Sequence, residues 1–190
     1  MKNYAQRPRN GTFMCAFMTV IMTILLSSPV RSETRIDYQG IYEMQALFLY
    51  NFANFVEWPE TAFPADGSPV KLCLFGGVPL DTFVRVFDGT LIRDRELAIS
   101  QTHDINDIIE GCQILFVGFD KREFLDSFFA DIKHIFVLSV SAIEEFAREG
   151  GVVSIHRNSD QMQIEVNLDT AIKNGLYISS DLLSIARVLE

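Results

Sequence analysis

The stretch Val70-Lys-Leu-Cys-Leu-Phe-Gly-Gly-Val-Pro79 decides the fold of this 190-residue chain. Its first six residues are almost all apolar, which is typical of a strand that is buried on both faces. Two glycines then end the strand, and the pattern over residues 79–87 predicts a short helix. Buried strands that alternate with helices are typical of a mostly parallel sheet.

The same alternation of strands and helices continues to the end of the chain. The apolar pattern predicts further strands at residues 96–101, 113–117, 134–138, 152–157 and 162–168. It predicts helical segments at residues 104–110, 123–130, 141–149, 170–174 and 180–189, the third of them opened by a capping box at Ser141 and Glu144. We therefore predict an α/β fold, a single-domain three-layer sandwich with a mostly parallel sheet, helices on both faces and a C-terminal β-hairpin.

The segment before the first strand, residues 41–58, is predicted to form an amphipathic helix that stops at Pro59. On a helical wheel its apolar side chains fill about half of the circumference. Asn51 falls inside that apolar arc, where an amide must find hydrogen-bond partners. Trp58, the only tryptophan in the sequence, lies at the end of the predicted helix. Two interpretations stay open: a core helix with a satisfied amide, which we favour, or a helix whose Asn51 and Trp58 line a ligand or partner site.

The front of the chain has the pattern of an export signal. Three basic residues are followed by an apolar run at residues 13–26 and then by Val30-Arg-Ser32. The run is too short to span a bilayer comfortably, and small residues stand at both positions that a signal peptidase reads. We predict a cleaved secretory signal peptide at residues 1–32 and a domain at residues 33–190, located in the periplasm. An uncleaved membrane anchor is the alternative interpretation of the apolar run.

The charge of the exported chain limits its partners. Cleavage after Ser32 removes four basic residues and no acidic ones, so the net charge of −9 becomes −13. A surface this acidic argues against nucleic acid or anionic lipid as a partner.

Two cysteines, Cys73 and Cys112, remain after cleavage. An even number of cysteines in an exported protein indicates a disulfide, and each of these two adjoins a predicted buried strand. A reactive redox pair is the alternative, although the sequence lacks the C-x-x-C spacing that such pairs use. We favour the structural bridge.

The sequence carries no recognisable catalytic constellation. His103, His134 and His156 are scattered without the spacing of metal ligands, and no nucleophile elbow or phosphate loop is present. We therefore expect a protein that is not an enzyme and that uses no metal or cofactor.

One local feature resembles a ligand site. Gly76 and Gly77 stand between the end of a strand and the start of a helix, where backbone amides of α/β proteins often meet a ligand. Gly118-Phe-Asp120 follows a second strand and would form the other lip of the crevice. A tight turn is the simpler interpretation of the two glycines, and Asp120 would oppose a phosphate.

Six segments together resemble the YfiR family of periplasmic regulators. They occur in the expected order and span most of the chain between residues 42 and 188: Phe48–Pro59, Lys71–Gly76, Gly111–Phe116, Gly150–Val153, Ile164–Leu168 and Gly175–Leu183. Each segment alone is weakly specific, whereas six in register are fairly specific.

The resemblance implies a small α/β domain with a disulfide between Cys73 and Cys112, often found as a homodimer. It implies a repressor that binds the periplasmic sensor domain of an inner-membrane diguanylate cyclase, and so lowers cyclic di-GMP and biofilm formation. An outer-membrane lipoprotein is a further implied partner. Where the family carries basic or imidazole groups near its C-terminal helix, this chain has Tyr177, Ser179 and Ser180. We include Tyr177 and Ser179 in the ligand or partner site. The alternative function is a periplasmic sensor of a nucleotide or an aromatic amino acid that has no cyclase partner.

Overall fold

Helices and strands alternate along the chain in the structure, a computed structural model that describes residues 38–87, 89–132, 135–158 and 161–189. The predicted signal peptide and His134 lie outside the described residues. The helices are α1 (Tyr38–Asn54), α2 (Leu80–Phe87), α3 (Ile105–Ile109), α4 (Leu125–Asp131), α5 (Phe146–Glu149), α6 (Leu168–Lys173) and α7 (Ser180–Ile185). The strands are β1 (Val56–Glu57), β2 (Val70–Phe75), β3 (Leu91–Ile92), β4 (Arg95–Thr102), β5 (Ile114–Val117), β6 (Leu138–Ser141), β7 (Val153–Asn158), β8 (Gln161–Asn167), β9 (Tyr177–Ile178) and β10 (Arg187–Leu189). Short 3-10 helices cover Glu60–Ala62 and Phe119–Phe124.

The described strands form one large sheet and one small one. The large sheet has the order β10-β8-β7-β6-β5-β2-β4-β3, and only the pairs β3·β4 and β7·β8 are antiparallel. From β2 the chain passes to β4 on one side and then to β5 on the other, so the topology switches between β2 and β5. Strands β1 and β9 pair antiparallel to each other as the small sheet. The predicted α/β fold with a mostly parallel sheet is confirmed.

Strand β2 shows how its apolar run serves two cores. Leu72 and Leu74 belong to a buried cluster that also includes residues of α1, α2, α6 and α7. Cys73 and Phe75 belong to a second cluster, which includes residues of α3, α4 and α5. Successive side chains of a strand point to opposite faces of its sheet. The absence of polar alternation in β2 therefore follows from burial on both faces.

Helix α1 ends at Asn54, earlier than the sequence predicts. The next residues are extended, and Val56 pairs with Ile178 of β9. Trp58 precedes Pro59, and the residue before a proline is disfavoured in the helical region, while the β-branched Val56 favours a strand. The prediction of a helix that runs through Trp58 to Pro59 is therefore wrong.

The predicted capping box at Ser141 is also wrong. Ser141 is the last residue of β6, and its hydroxyl donates to the Val117 carbonyl at 2.7 Å while accepting from the Ile143 amide at 3.1 Å. Because the hydroxyl is used inside the sheet, it cannot cap a helix. Helix α5 begins only at Phe146, after Glu145 in the left-handed conformation with φ of 64°.

A strand replaces the end of the predicted C-terminal helix. Helix α7 ends at Ile185, and β10 then pairs parallel to β8. Glu165 of β8 is almost fully buried, and its carboxylate accepts from Arg148 at 2.8 Å and lies 3.4 Å from Arg187 of β10. A buried carboxylate needs such cationic partners. The hydrogen bond and charge of Glu165 raise the pKa of Arg148 above its ordinary value.

Candidate functional site

Asn51 lies on the exposed face of α1, so the prediction of a buried amide is wrong. Its side-chain amide donates to the Leu47 carbonyl at 2.8 Å, and Leu47 itself is 56% exposed. The buried face is instead formed by Ala46, Leu49 and Phe52, with Ala53 beside them. In the helical-wheel prediction, Phe55 and Trp58 extended the apolar arc on the side where Asn51 lies. The structure places both residues after the end of the helix.

Trp58 is half-buried and anchors the segment that follows α1. Its indole N–H donates to the Gln113 carbonyl at 3.2 Å. The Gln113 side chain is itself buried, donating to the Ala62 carbonyl at 2.8 Å and accepting from the Lys71 amide at 2.9 Å. Trp58 is thus fixed beside the start of β5, through its contact with the residue that follows Cys112.

The small β1–β9 sheet brings Tyr177 and Ser179 close to this segment. Glu57 pairs with Tyr177, and the Ser179 amide donates to the Phe55 carbonyl at 2.9 Å. The Ser179 hydroxyl accepts from the Asp181 amide at 3.2 Å and so caps α7. Tyr177 is 65% exposed. Of these two residues, Tyr177 is therefore the one whose side chain is open to solvent.

Gly76 and Gly77 lie at the other end of the sheet, at the topological switch between β2 and β5. The Gly77 amide donates to a carboxylate oxygen of Asp120 at 2.9 Å. A Cβ atom at Gly76 would lie 2.5 Å from the same carboxylate, and one at Gly118 would lie 2.7 Å from it. The carboxylate therefore fills the crevice that the sequence offers to an anion.

The structure contains the disulfide between Cys73 and Cys112. It joins β2 to the residue two positions before β5, with the two Cα atoms 5.9 Å apart, and each cysteine is only 4% exposed. Buried disulfides are shielded from thiol reagents and lie within well-packed structure. The geometry is that of a bridge within the core of the fold.

Four exposed apolar side chains lie in the C-terminal part of the chain, and the sequence reasoning had singled out only Tyr177 among them. These side chains are carried by four consecutive elements, α6, β9, α7 and β10, and we call them the C-terminal apolar set: Ile172 (61% exposed), Tyr177 (65%), Ile185 (65%) and Val188 (37%). Apolar periodicity alone could not show that they face outward, because they sit on short elements of six residues or fewer.

The part of the chain that the structure describes contains no group of His, Cys, Asp and Glu residues arranged to hold a metal ion. His103 follows β4 and His156 lies on β7. Within the same described residues, no helix has both the length and the apolar character needed to cross a bilayer.

Comparisons with known proteins agree on the family and the fold. A family model described as YfiR/HmsC-like matches residues 42–187. A crystal structure of a conserved domain protein from Vibrio cholerae O1 biovar El Tor is similar, with a TM-score of 0.53 and 7% sequence identity. That match covers 78% of this chain and 60% of the Vibrio chain, and at this identity it shows the fold alone. A search of curated protein sequences finds no significant match.

Proposed function

The chain belongs to the YfiR/HmsC-like family of periplasmic regulators, and from that premise we propose that it represses an inner-membrane diguanylate cyclase. In this proposal the protein is exported by the signal peptide at residues 1–32 and binds the periplasmic sensor domain of the cyclase. Binding holds the cyclase inactive, and so lowers cyclic di-GMP and biofilm formation. The protein acts through contact with its partner and not through catalysis.

The observation that carries the proposal is the C-terminal apolar set. Exposed aromatic and aliphatic side chains are typical of protein interfaces, because their contact with a partner removes apolar surface from water. Ile172, Tyr177 and Ile185 are each more than half exposed to solvent. We assign the cyclase contact to this surface.

The charge of the chain supports a protein partner over other partners. A net charge of −9 over the whole sequence, more negative after cleavage, disfavours nucleic acid and anionic lipid. A homodimer and an outer-membrane lipoprotein that competes for the protein are part of the proposal, by analogy with the family.

Deletion of the gene should raise cellular cyclic di-GMP and biofilm, because the cyclase is released. Restoring the wild-type gene should reverse both effects. Ile172→Asp should leave the protein folded and exported yet unable to restore repression, because a carboxylate in an apolar interface is costly to desolvate. The measurement is cyclic di-GMP in extracts, with circular dichroism of each purified variant.

Leu47→Asp is the matched control, since Leu47 is 56% exposed and Ile172 is 61% exposed, but Leu47 lies on α1. It should restore repression as well as wild type does. An unchanged cyclic di-GMP level in the deletion strain would contradict the proposed function. Equal restoration by both aspartate variants would contradict the assignment of the surface.

A further inference from the structure

A cavity of about 760 Å³ lies beyond the carboxyl ends of β5 and β6, where helix α1 faces the extended strands β7 and β8. This volume is within the range of small-molecule sites. Ligands of open α/β sheets commonly bind at this edge of the sheet. The switch-point crevice beside it is filled by Asp120, whereas this cavity is open.

Most of the cavity wall is apolar and adaptable. Met44 of α1, Ile143 of the loop after β6, Ile155 of β7 and Met162 of β8 contribute to it. Met44 and Met162 are the only two methionines beyond residue 32. Methionine side chains fit ligands of different shape because they are unbranched and polarisable.

Two residues of the same wall each carry a buried polar atom that has no hydrogen-bond partner among the described residues. These atoms are the side-chain carbonyl oxygen of Gln45, a residue only 3% exposed, and Nδ1 of His156. Native proteins pair nearly all of their buried polar atoms, because an unpaired one loses its hydration without compensation. Because both residues line one cavity, a small rotation of either side chain would let a ligand complete this hydrogen bonding.

The charged groups of the wall restrict the chemistry of that ligand. Arg122 donates to Glu149 at 2.8 Å and also to the Glu144 carbonyl, so its guanidinium is already neutralised. The remaining charged lining residues, Glu144 and Glu145, are acidic, and of these Glu145 pairs with Arg148 at 3.0 Å. An anionic head group would therefore meet acceptors and negative charge in place of a free cation.

We propose that this cavity binds a small molecule with an apolar body and a hydrogen-bond-donating head, an amine or a hydroxyl. The Gln45 side chain turns its carbonyl oxygen toward the cavity, and the head donates to that oxygen, which can only accept. The body packs against Met44, Ile143 and Met162. This proposal is independent of the cyclase partner, and its test uses the protein alone.

The test uses the full-length purified protein with ¹³C-labelled methionine methyl groups. The Met44 and Met162 signals are assigned with Met44→Leu and Met162→Leu. The probes share one body and differ in the head: 2-phenylethylamine, 2-phenylethanol, the methyl ether of that alcohol, and 3-phenylpropanoate. The amine and the alcohol should shift both methyl signals saturably. The ether and the carboxylate should bind at least tenfold more weakly, because they bring no donor at neutral pH.

Gln45→Leu tests the assigned acceptor, with Asn51→Leu on the exposed face of the same helix as the matched control. Gln45→Leu should weaken amine and alcohol binding at least tenfold and leave ether binding unchanged. It should also raise the melting temperature of the unliganded protein by a few degrees, since the unpaired buried carbonyl is removed. Asn51→Leu should change neither affinity.

Three results would overturn the proposal. The first is that neither the amine nor the alcohol shifts the two methyl signals. The second is that the ether binds as tightly as the alcohol, which would leave an apolar cleft without a donor-specific site. The third is that Gln45→Leu binds the amine with wild-type affinity. None of these results bears on repression of the cyclase.

Discussion

At the residue scale, Asp120 shows how one side chain can close a site that the fold would otherwise offer. Parallel α/β sheets leave a crevice where the strand order switches, and backbone amides face it. In this chain the Asp120 carboxylate accepts the Gly77 amide at 2.9 Å. A free anion would have to displace the Asp120 carboxylate, which belongs to the chain and is therefore present at high effective concentration.

Asp120→Ala should destabilise the fold by about 1 kcal/mol, because the Gly77 amide loses its acceptor at a position that water can partly reach. Urea unfolding at neutral pH measures the change. Asp120→Asn is the control, because its side-chain oxygen can still accept a hydrogen bond from the Gly77 amide. It should lose less than half as much free energy of unfolding as Asp120→Ala. Equal losses for the two variants would show that the hydrogen bond is not what stabilises the crevice.

At the element scale, elements with a clear apolar pattern were predictable, and elements that depend on pairing with a distant strand were not. The apolar runs of β2 and β5 and the long α1 were located from sequence to within a few residues. Strands β1 and β9, of two residues each, carry no periodicity and exist because they pair with each other. Strand β10 depends on its neighbour β8 and on the buried charge of Glu165, neither of which is visible locally.

The exposed position of Asn51 on α1 gives a prediction opposite to that for a buried amide. Asn51→Ala should increase the free energy of unfolding by about 0.5 kcal/mol, since alanine is the better helix former at an exposed position. Ala53→Asn on the buried face should lower it by at least about 2 kcal/mol, because it buries an amide and overpacks the core. Chemical denaturation of both variants measures the difference. A large loss for Asn51→Ala would mean that the amide is essential to the helix end.

At the scale of the whole molecule, the disulfide links the central strand β2 to the strand on the other side of the switch. The bridged cysteines are 39 residues apart in sequence. In the chain-entropy model, closing a loop of that length stabilises the native state by about 4 kcal/mol. The joint variant Cys73→Ala with Cys112→Ala should lose about that amount in urea unfolding.

Ser100→Ala is a suitable control for the disulfide variant. The Ser100 hydroxyl lies 3.8 Å from the Cys73 sulfur, and its removal leaves the bridge intact. It should change the free energy of unfolding by less than about 1 kcal/mol. An unchanged unfolding midpoint for the joint alanine variant would show that the bridge does not stabilise the domain.

The residues proposed for a site were less predictable than the fold, because a site depends on contacts between distant elements. Family segments pointed to Trp58, Tyr177 and Ser179, and pairing of β1 with β9 does bring them to one region. Gly76 and Gly77 lie elsewhere, and the Asp120 contact decides their role. The exposure of the C-terminal apolar set and the unpaired atom of Gln45 follow only from tertiary packing.

The bridge between Cys73 and Cys112 also makes the chain from residue 73 to residue 112 a covalent ring. That ring contains α2, β3, β4 and α3, and Leu91 on it is 48% exposed. A protease that cuts the chain once within the ring opens it without separating the two fragments. The domain therefore keeps all of its strands after a first cleavage, and the fragments can separate only when the bridge is also reduced.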